Sequence, residues 1–141
     1  MLLNPTGGAR PIRLLVVDDE AEIRAVVQRV LNDAGYTTIV ATTGPAALSI
    51  VANEGAFDLY VIDLLMPEMR GDELTRQLRE RDPHTKVLYY TGYADLFEAN
   101  KRVGVNEAFL DKPASAAELR EAVSLLIFEH RHGPSPLSPQ T

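Results

Sequence analysis

The stretch IRLLVVDDE, residues 12–20, decides the type of fold that we predict for this chain. It begins with six residues that are mostly apolar and β-branched, and it ends with three carboxylates. A continuous apolar run of this length is typical of a strand that is covered on both faces, as in a parallel sheet. The pattern recurs in LYVI, residues 59–62, and in VLYY, residues 87–90, with weaker strand candidates at residues 36–41 and 107–110.

Helical patterns separate these strands. Apolar residues follow the i, i+3, i+4, i+7 spacing of a buried stripe from Ile23 to Ala34, and Gly35 stands where a C-terminal cap belongs. Four further helices are indicated by Gly44-Pro45, by Gly71-Asp72-Glu73, by residues 94–103 with a poor apolar stripe, and by the capping box from Ser115 to Glu118. The chain therefore alternates strand and helix five times, which predicts an α/β fold with five helices flanking a five-stranded parallel sheet.

The length of 141 residues suffices for one compact domain. We expect a disordered N-terminal segment over residues 1–11, the domain over 12–128, and a Pro/Ser-rich tail or linker over 129–141. No apolar run reaches the length of a membrane span, and the N-terminus lacks the apolar core of a signal peptide. The absence of cysteine excludes disulfides and fits a reducing compartment, and the net charge of −6 disfavours nucleic acid as a partner. We therefore expect a cytoplasmic protein.

Polar residues stand at the ends of four predicted strands: Asp18, Asp19 and Glu20 after the first, Asp63 after the third, Thr91 and Gly92 after the fourth, and Asp111 and Lys112 after the fifth. Ligands of open parallel sheets bind beyond the carboxyl ends of the strands, so we expect these side chains to converge on one edge. The first turn carries carboxylates where a nucleotide-binding fold carries glycines, which argues against P-loop and dinucleotide-binding proteins.

Converging carboxylates cannot all stay ionised unless a cation joins them, and a few oxygen ligands flanked by open positions suit Mg²⁺. Beside a divalent ion, Asp63 can attack phosphorus and form an aspartyl phosphate. Lys112 can offer an ammonium group to the phosphoryl oxygens, Thr91 a hydroxyl, and the backbone near Leu64 and Leu65 further N–H groups. The sequence therefore predicts chemistry at phosphorus on this edge.

Four sequence blocks resemble the receiver domains of bacterial two-component response regulators. They are VVDDE at residues 16–20, VIDLLMP at 61–67, YTGY at 90–93 and FLDKP at 109–113, in the order and at the spacings usual in that family. Gly71 matches the glycine that opens the family's third helix. The resemblance covers residues 12–128 and implies a flavodoxin-like (βα)5 domain with strand order 2-1-3-4-5.

The resemblance implies a phospho-acceptor and a metal site. Asp63 is the implied acceptor. The implied ligands of Mg²⁺, or of Mn²⁺ in its place, are Asp19 directly, Asp18 directly or through water, Asp63, and the backbone carbonyl of Leu65. The implied phosphate donor is a phosphohistidine on a sensor histidine kinase or a phosphotransfer protein, or a small acyl phosphate.

The resemblance also implies how the phosphoryl group is bound and how the signal leaves the domain. Thr91 and Lys112 would bind the phosphoryl group, and the Lys112–Pro113 peptide bond would be cis. Thr91 and Phe109 would turn inward as switch residues. The kinase would dock on the first helix near Glu22, Ala25, Gln28 and Arg29. A downstream protein, or a second copy of the chain, would bind an output surface made of residues 94–103, 106–108 and 116–120, with no nucleic acid or membrane as a partner.

Two alternatives to a phosphorylation switch stay open. One is an aspartyl-nucleophile phosphatase or phosphotransferase, but such enzymes commonly carry a second Asp two residues after the nucleophile, where this chain has Leu65. We therefore predict no independent enzymatic substrate. The other is a receiver-like scaffold that phosphorylation does not regulate.

Two positions depart from the commonest pattern of the family. Phe109 stands where Tyr is frequent, which excludes a switch that needs a hydroxyl on that ring. Leu65 is apolar where polar residues are also seen, and we hypothesise that Leu65 and Tyr93 shield the aspartyl phosphate from water.

Overall fold

The computed structural model describes residues 2–3, 9–93 and 106–128, and within them five parallel strands form one sheet. The strands are β1 (Arg13–Val17), β2 (Thr37–Ala41), β3 (Leu59–Ile62), β4 (Val87–Thr91) and β5 (Glu107–Asp111). Their order across the sheet is β2-β1-β3-β4-β5. The register pairs Val16 of β1 with Val40 on one side and with Val61 on the other. The predicted order 2-1-3-4-5 is confirmed.

Four helices are described: α1 (Ala21–Asp33), α2 (Gly44–Glu54), α3 (Gly71–Arg81) and α4 (Ala116–Phe128). The helix that the sequence predicted over residues 94–103 lies outside the described residues, so the predicted fifth helix is α4 here. Its capping box is present, because Ser115 N–H donates to Glu118 Oε1 at 2.8 Å and Glu118 N–H donates to Ser115 Oγ at 3.0 Å.

The sheet is covered on both faces. Alternate strand residues such as Leu15 and Val17 join the apolar side chains of α2 and α3 in one core, whereas Leu14 and Val16 join those of α1 and α4 in another. All four residues of β3 are buried, since this strand lies between two neighbours and beneath helices on each face. Burial on both faces is the physical reason for the continuous apolar runs that predicted the strands.

The strand ends differ slightly from the prediction. β4 and β5 each extend one residue further, to Thr91 and Asp111, which pair with each other. The prediction ended both strands at the change from apolar to polar residues, whereas backbone pairing continues past that change. Within residues 1–11, where no secondary structure was predicted, Leu2–Leu3 pairs antiparallel with Ala9–Arg10. The predicted tail, 129–141, lies outside the described residues.

Within the described part of the chain, every helix falls short of the length and apolar character that crossing a membrane requires.

Candidate functional site

Two buried carboxylates lie side by side at the carboxyl edge of the sheet. Asp18 follows β1 and Asp63 follows β3, and each is only 4% exposed. Backbone bonds extend the sheet into both turns, since Asp63 N–H donates to Val17 O at 3.1 Å and Asp18 N–H donates to Ala41 O at 3.2 Å. The sheet thus carries both acids to one place, as the pattern of strand ends predicted.

Lys112 reaches this pair from the loop between β5 and α4. Its Nζ lies 2.9 Å from Asp18 Oδ2, 2.9 Å from Glu20 Oε1 and 3.1 Å from Asp63 Oδ2. The backbone of β4 holds the loop, because Lys112 N–H donates to Thr91 O at 3.0 Å. The Lys112–Pro113 peptide bond is cis, as predicted.

Burial and neighbouring groups shift the pKa values of Asp18 and Lys112. Burial raises the pKa of Asp18, although the Glu20 N–H and the Lys112 ammonium both favour its ionised form. Burial also pulls the pKa of Lys112 down, but bonds to Glu20, Asp18 and Asp63 outweigh it and hold that pKa above its ordinary value. Lys112 is therefore a permanent cation among these three carboxylates.

One oxygen of the site is left without a partner. Asp63 Oδ1 is buried and accepts no hydrogen bond from any described residue. Oxygen atoms of Asp18, Glu20 and Asp63 all lie within 4.8 Å of one another. Three carboxylates and one ammonium leave an excess of negative charge, and an unpartnered buried carboxylate oxygen is costly unless a cation or donor meets it. The residues present therefore fit a divalent cation with oxygen ligands.

The structure separates the predicted metal residues into two groups. Asp18 and Asp63 lie in the acidic cluster, whereas Asp19 is exposed and is not part of that cluster as the described residues form it. The ligand roles of Asp19 and of the Leu65 carbonyl stay predictions. Glu20 takes a place in the cluster that the sequence did not assign to it. Its position directly after two strand-end acids was the available signal.

The predicted switch residues flank the site. Thr91 is fully buried at the end of β4, and its Oγ1 accepts a hydrogen bond from Tyr93 N–H at 3.1 Å. Phe109 of β5 is half-buried and stacks on Tyr89. The movement assigned to Thr91 and Phe109 stays a prediction.

Two further residues shape the site, and the sequence did not predict this role for either of them. A Cβ atom at Gly71 would overlap the carbonyl oxygen of Asp63, so only glycine lets α3 begin this close to the acceptor. Gly71 N–H also donates to Leu64 O at 2.9 Å. On the other side, the Tyr90 hydroxyl accepts a hydrogen bond from Ala114 N–H at 2.9 Å and ties down the loop that carries Lys112.

Residues 14–124 match the family model of the response regulator receiver domain, so the chain belongs to this family. It is 37% identical over 116 residues to the sensor kinase CckA of Brucella abortus, a match that covers 81% of this chain and 12% of that kinase. It is 34% identical over 113 residues to sporulation initiation phosphotransferase F of Bacillus subtilis, covering 79% of this chain and 90% of the relative.

A solved structure shares the fold. The response regulator protein TrrA of Thermotoga maritima, crystallised in complex with Mg²⁺–BeF, matches with a TM-score of 0.69 and 30% identity over 81% of this chain and 97% of that one. The predicted family is thereby confirmed. The chain spans a small part of the sensor kinase but nearly all of the two smaller relatives.

Proposed function

We propose that this domain is a phosphorylation-dependent signalling switch that accepts a phosphoryl group on Asp63. The single observation that carries this proposal is the state of the Asp63 carboxylate. Its Oδ2 is 3.1 Å from Lys112 Nζ, while its Oδ1 is buried and unpartnered among the described residues. A buried carboxylate that has one oxygen without a hydrogen bond can attack a phosphoryl group. The cation held beside it then stabilises the negative charge of that group.

The proposed step exchanges one bond to phosphorus for another. A carboxylate oxygen of Asp63 attacks the phosphorus of a phosphohistidine, the O–P bond forms, and the P–N bond breaks. The imidazole leaves with the electron pair of the P–N bond and takes up a proton. With a small acyl phosphate as donor, the carboxylate of the donor leaves instead. The histidine belongs to a sensor histidine kinase or a phosphotransfer protein. One relative of this chain is named a sensor kinase and another a phosphotransferase, which supports this class of donor.

Mg²⁺, or Mn²⁺ in its place, is the proposed cofactor. Asp18 and Asp63 would hold it, together with Asp19 and the Leu65 carbonyl, and the excess of carboxylates over ammonium supports this choice. When bound, the cation supplies charge neutralisation at the phosphoryl oxygens. The crystallised complex of the related TrrA with Mg²⁺–BeF supports the same pairing of metal and phosphoryl mimic.

Two residues of this chain would receive the phosphoryl oxygens. Lys112 Nζ already lies beside Asp63 Oδ2, so its ammonium can turn from the carboxylate to a phosphoryl oxygen with little movement. The Thr91 hydroxyl is buried at the end of β4, the neighbour of β3 in the sheet. An inward turn of Thr91 would leave a space into which the Phe109 ring moves. The movement of these two side chains would change the output surface at residues 94–103, 106–108 and 116–120.

The output is a protein–protein contact in a cytoplasmic pathway. A downstream protein, or a second copy of the chain, binds the altered output surface, while the kinase docks on α1 near Glu22, Ala25, Gln28 and Arg29. All four of these α1 side chains are exposed or half-buried. The domain has no independent substrate, because Leu65 stands where an aspartyl phosphatase has its second acid.

The test is phosphotransfer to the purified protein. Wild-type protein with Mg²⁺ and acetyl phosphate, or with phosphorylated kinase, is expected to gain one phosphoryl group by intact mass spectrometry. Asp63→Asn keeps the size of the side chain but removes the nucleophile, so this variant should gain none. Equal labelling of the two proteins would refute Asp63 as the acceptor.

The same samples separate the alternatives. Sustained turnover of phosphomonoesters by the wild-type protein would identify a phosphatase. Failure of the wild-type protein to gain a phosphoryl group or to bind beryllium fluoride with Mg²⁺ would identify a receiver-like scaffold.

A further inference from the structure

The ammonium group of Lys112 is divided among three carboxylates that differ in exposure. The side chains of Asp18 and Asp63 are each 5% exposed, whereas that of Glu20 is 59% exposed. Each of the three lies within hydrogen-bonding distance of Nζ, and an ammonium group has three donors. Lys112 therefore has no donor left for an incoming phosphoryl group unless one carboxylate releases it.

The backbone of Glu20 is held firmly. Its N–H donates to Asp18 Oδ1 at 2.9 Å, and its carbonyl accepts from Arg24 N–H at 2.9 Å. Glu20 is the N-cap residue of α1, yet its side chain makes no capping bond to the helix and lies on Lys112 instead. The turn between β1 and α1 therefore fixes the Glu20 backbone in a position from which its carboxylate contacts Lys112.

The three carboxylates are not equally free to keep Lys112 during phosphoryl transfer. Under the proposed function Asp63 takes up the phosphoryl group, whose oxygens then compete for the ammonium, and Asp18 would help to hold the divalent cation. Glu20 is the one partner to which the proposed function gives neither task. The lysine side chain is long and flexible. Without an ion-pair partner its ammonium group samples many positions and is less often within hydrogen-bonding distance of a phosphoryl oxygen.

We propose that Glu20 is a positioning residue: it keeps the Lys112 ammonium over Asp63 while Asp18 and Asp63 serve the cation and the phosphoryl group. This inference rests on the proposed function. The ion pair of Glu20 with Lys112 is partly exposed to water, so its loss has a moderate effect, roughly two- to fivefold on phosphoryl binding and transfer.

The experiment compares Glu20→Gln and Glu20→Ala with the wild-type protein. The control is Glu121→Gln, the same chemical change at an exposed residue of α4 that forms no ion pair with any described residue. Three quantities are measured by NMR. They are the Mg²⁺ affinity alone, the beryllium fluoride affinity at saturating Mg²⁺, and the protection of the Lys112 side-chain NH₃⁺ from exchange without metal. The rate of labelling by acetyl phosphate is a fourth, and this small donor needs no kinase docking.

A positioning role predicts a split among these readouts. Both Glu20 variants should bind beryllium fluoride and accept phosphoryl groups roughly two- to fivefold more weakly, with unchanged Mg²⁺ affinity and a less protected Lys112. Glu121→Gln should match the wild-type protein. An equal loss of Mg²⁺ affinity would make Glu20 a metal ligand and overturn the proposal, and so would unchanged beryllium fluoride affinity.

The two proposals fail in different ways. If the wild-type protein neither binds beryllium fluoride nor accepts a phosphoryl group, the proposed function is wrong, and the exchange of Lys112 NH₃⁺ still reports whether Glu20 holds the lysine. If the wild-type protein is labelled and the Glu20 variants are labelled equally fast, only the positioning role is wrong.

Discussion

Tyr89 of β4 and Phe109 of β5 stack with ring centroids 4.8 Å apart and planes inclined by 28°. The Tyr89 hydroxyl donates to Thr75 Oγ1 at 2.8 Å, and that hydroxyl donates to Gly71 O at 3.1 Å. Gly71 in turn lies against the carbonyl of Asp63. Phe109 has no hydroxyl of its own, but the Tyr89 ring on which it stacks has a hydroxyl that is hydrogen-bonded to α3. The proposed switch residue is thus joined to the acceptor through α3.

Removal of the Tyr89 hydroxyl should destabilise the protein without removing the ring stack. In Tyr89→Phe, Thr75 Oγ1 loses its donor in a buried place, and we expect unfolding free energy to fall by about 1 kcal/mol. Urea denaturation measures this value. Tyr36→Phe is the control, because the half-buried Tyr36 hydroxyl bonds to no other described residue. Equal losses in the two variants would show that the Thr75 bond contributes nothing.

The stability of the wild-type protein and that of Tyr89→Phe should depend differently on alkaline pH. Burial raises the pKa of Tyr89 to about 12, above its ordinary value of 10.0. Above pH 10 the unfolded chain releases the Tyr89 proton while the folded protein retains it, so wild-type stability declines as the pH rises towards about 12. Tyr89→Phe lacks this loss. The difference in unfolding free energy between the wild-type protein and Tyr89→Phe should therefore shrink as the pH rises above 9. A difference that stays constant with pH in denaturation experiments would contradict the raised pKa of Tyr89.

Gly71→Ala should damage both the fold and the acceptor. The new Cβ would overlap the Asp63 carbonyl oxygen and come within 2.8 Å of Ile62 Cγ2, so α3 or the acceptor turn must move. We expect a loss of about 2 kcal/mol in unfolding free energy and slower labelling by acetyl phosphate. Gly92→Ala is the matched control for stability, since a Cβ there would meet no atom of the described residues within 4 Å. Equal stability of the two variants would argue against the close approach.

Glu68→Gly should stabilise the loop between β3 and α3. Glu68 has φ of 73°, in the left-handed region that costs a residue with a Cβ atom of the order of 1 kcal/mol or more. Glycine removes this strain but adds freedom to the unfolded chain. We expect a net gain of about 0.5 kcal/mol in thermal or urea denaturation. Glu68→Ala removes the same carboxylate and keeps the strain, so a gain of equal size there would assign the effect to charge.

Leu65 and Tyr93 should lengthen the life of the aspartyl phosphate. Leu65 follows the acceptor by two residues and Tyr93 follows Thr91 by two, and their side chains are 37% and 47% exposed. If these side chains exclude water, the double variant Leu65→Asn, Tyr93→Ala should lose its phosphoryl group about five- to tenfold faster, or roughly 1 kcal/mol in the barrier. Decay of the labelled protein measures this rate. Leu125→Asn, at an exposed leucine of α4, should decay like the wild-type protein. Unchanged decay in the double variant would refute the shielding.

The amino-acid sequence by itself determined the α/β class, the five strands, and the edge of the sheet at which Asp18, Asp63, Thr91 and Lys112 meet. These features follow from local rules. Apolar runs mark strands that are buried on both faces, apolar stripes mark helices, and parallel strands all end at one edge. Four short blocks at regular spacing then identified the family, which the match over residues 14–124 confirmed.

Only the tertiary structure decided which atoms meet. The contact between Lys112 and Glu20 joins residues 92 positions apart, and the one between Tyr89 and Thr75 joins two layers of the fold. The structure also placed Glu20, and not Asp19, beside Asp63 in the acidic cluster that the described residues form. Adjacent acids in a turn point in different directions, and the direction of each depends on how separate loops are held against the sheet. Long-range packing sets that arrangement, and no local sequence pattern encodes it.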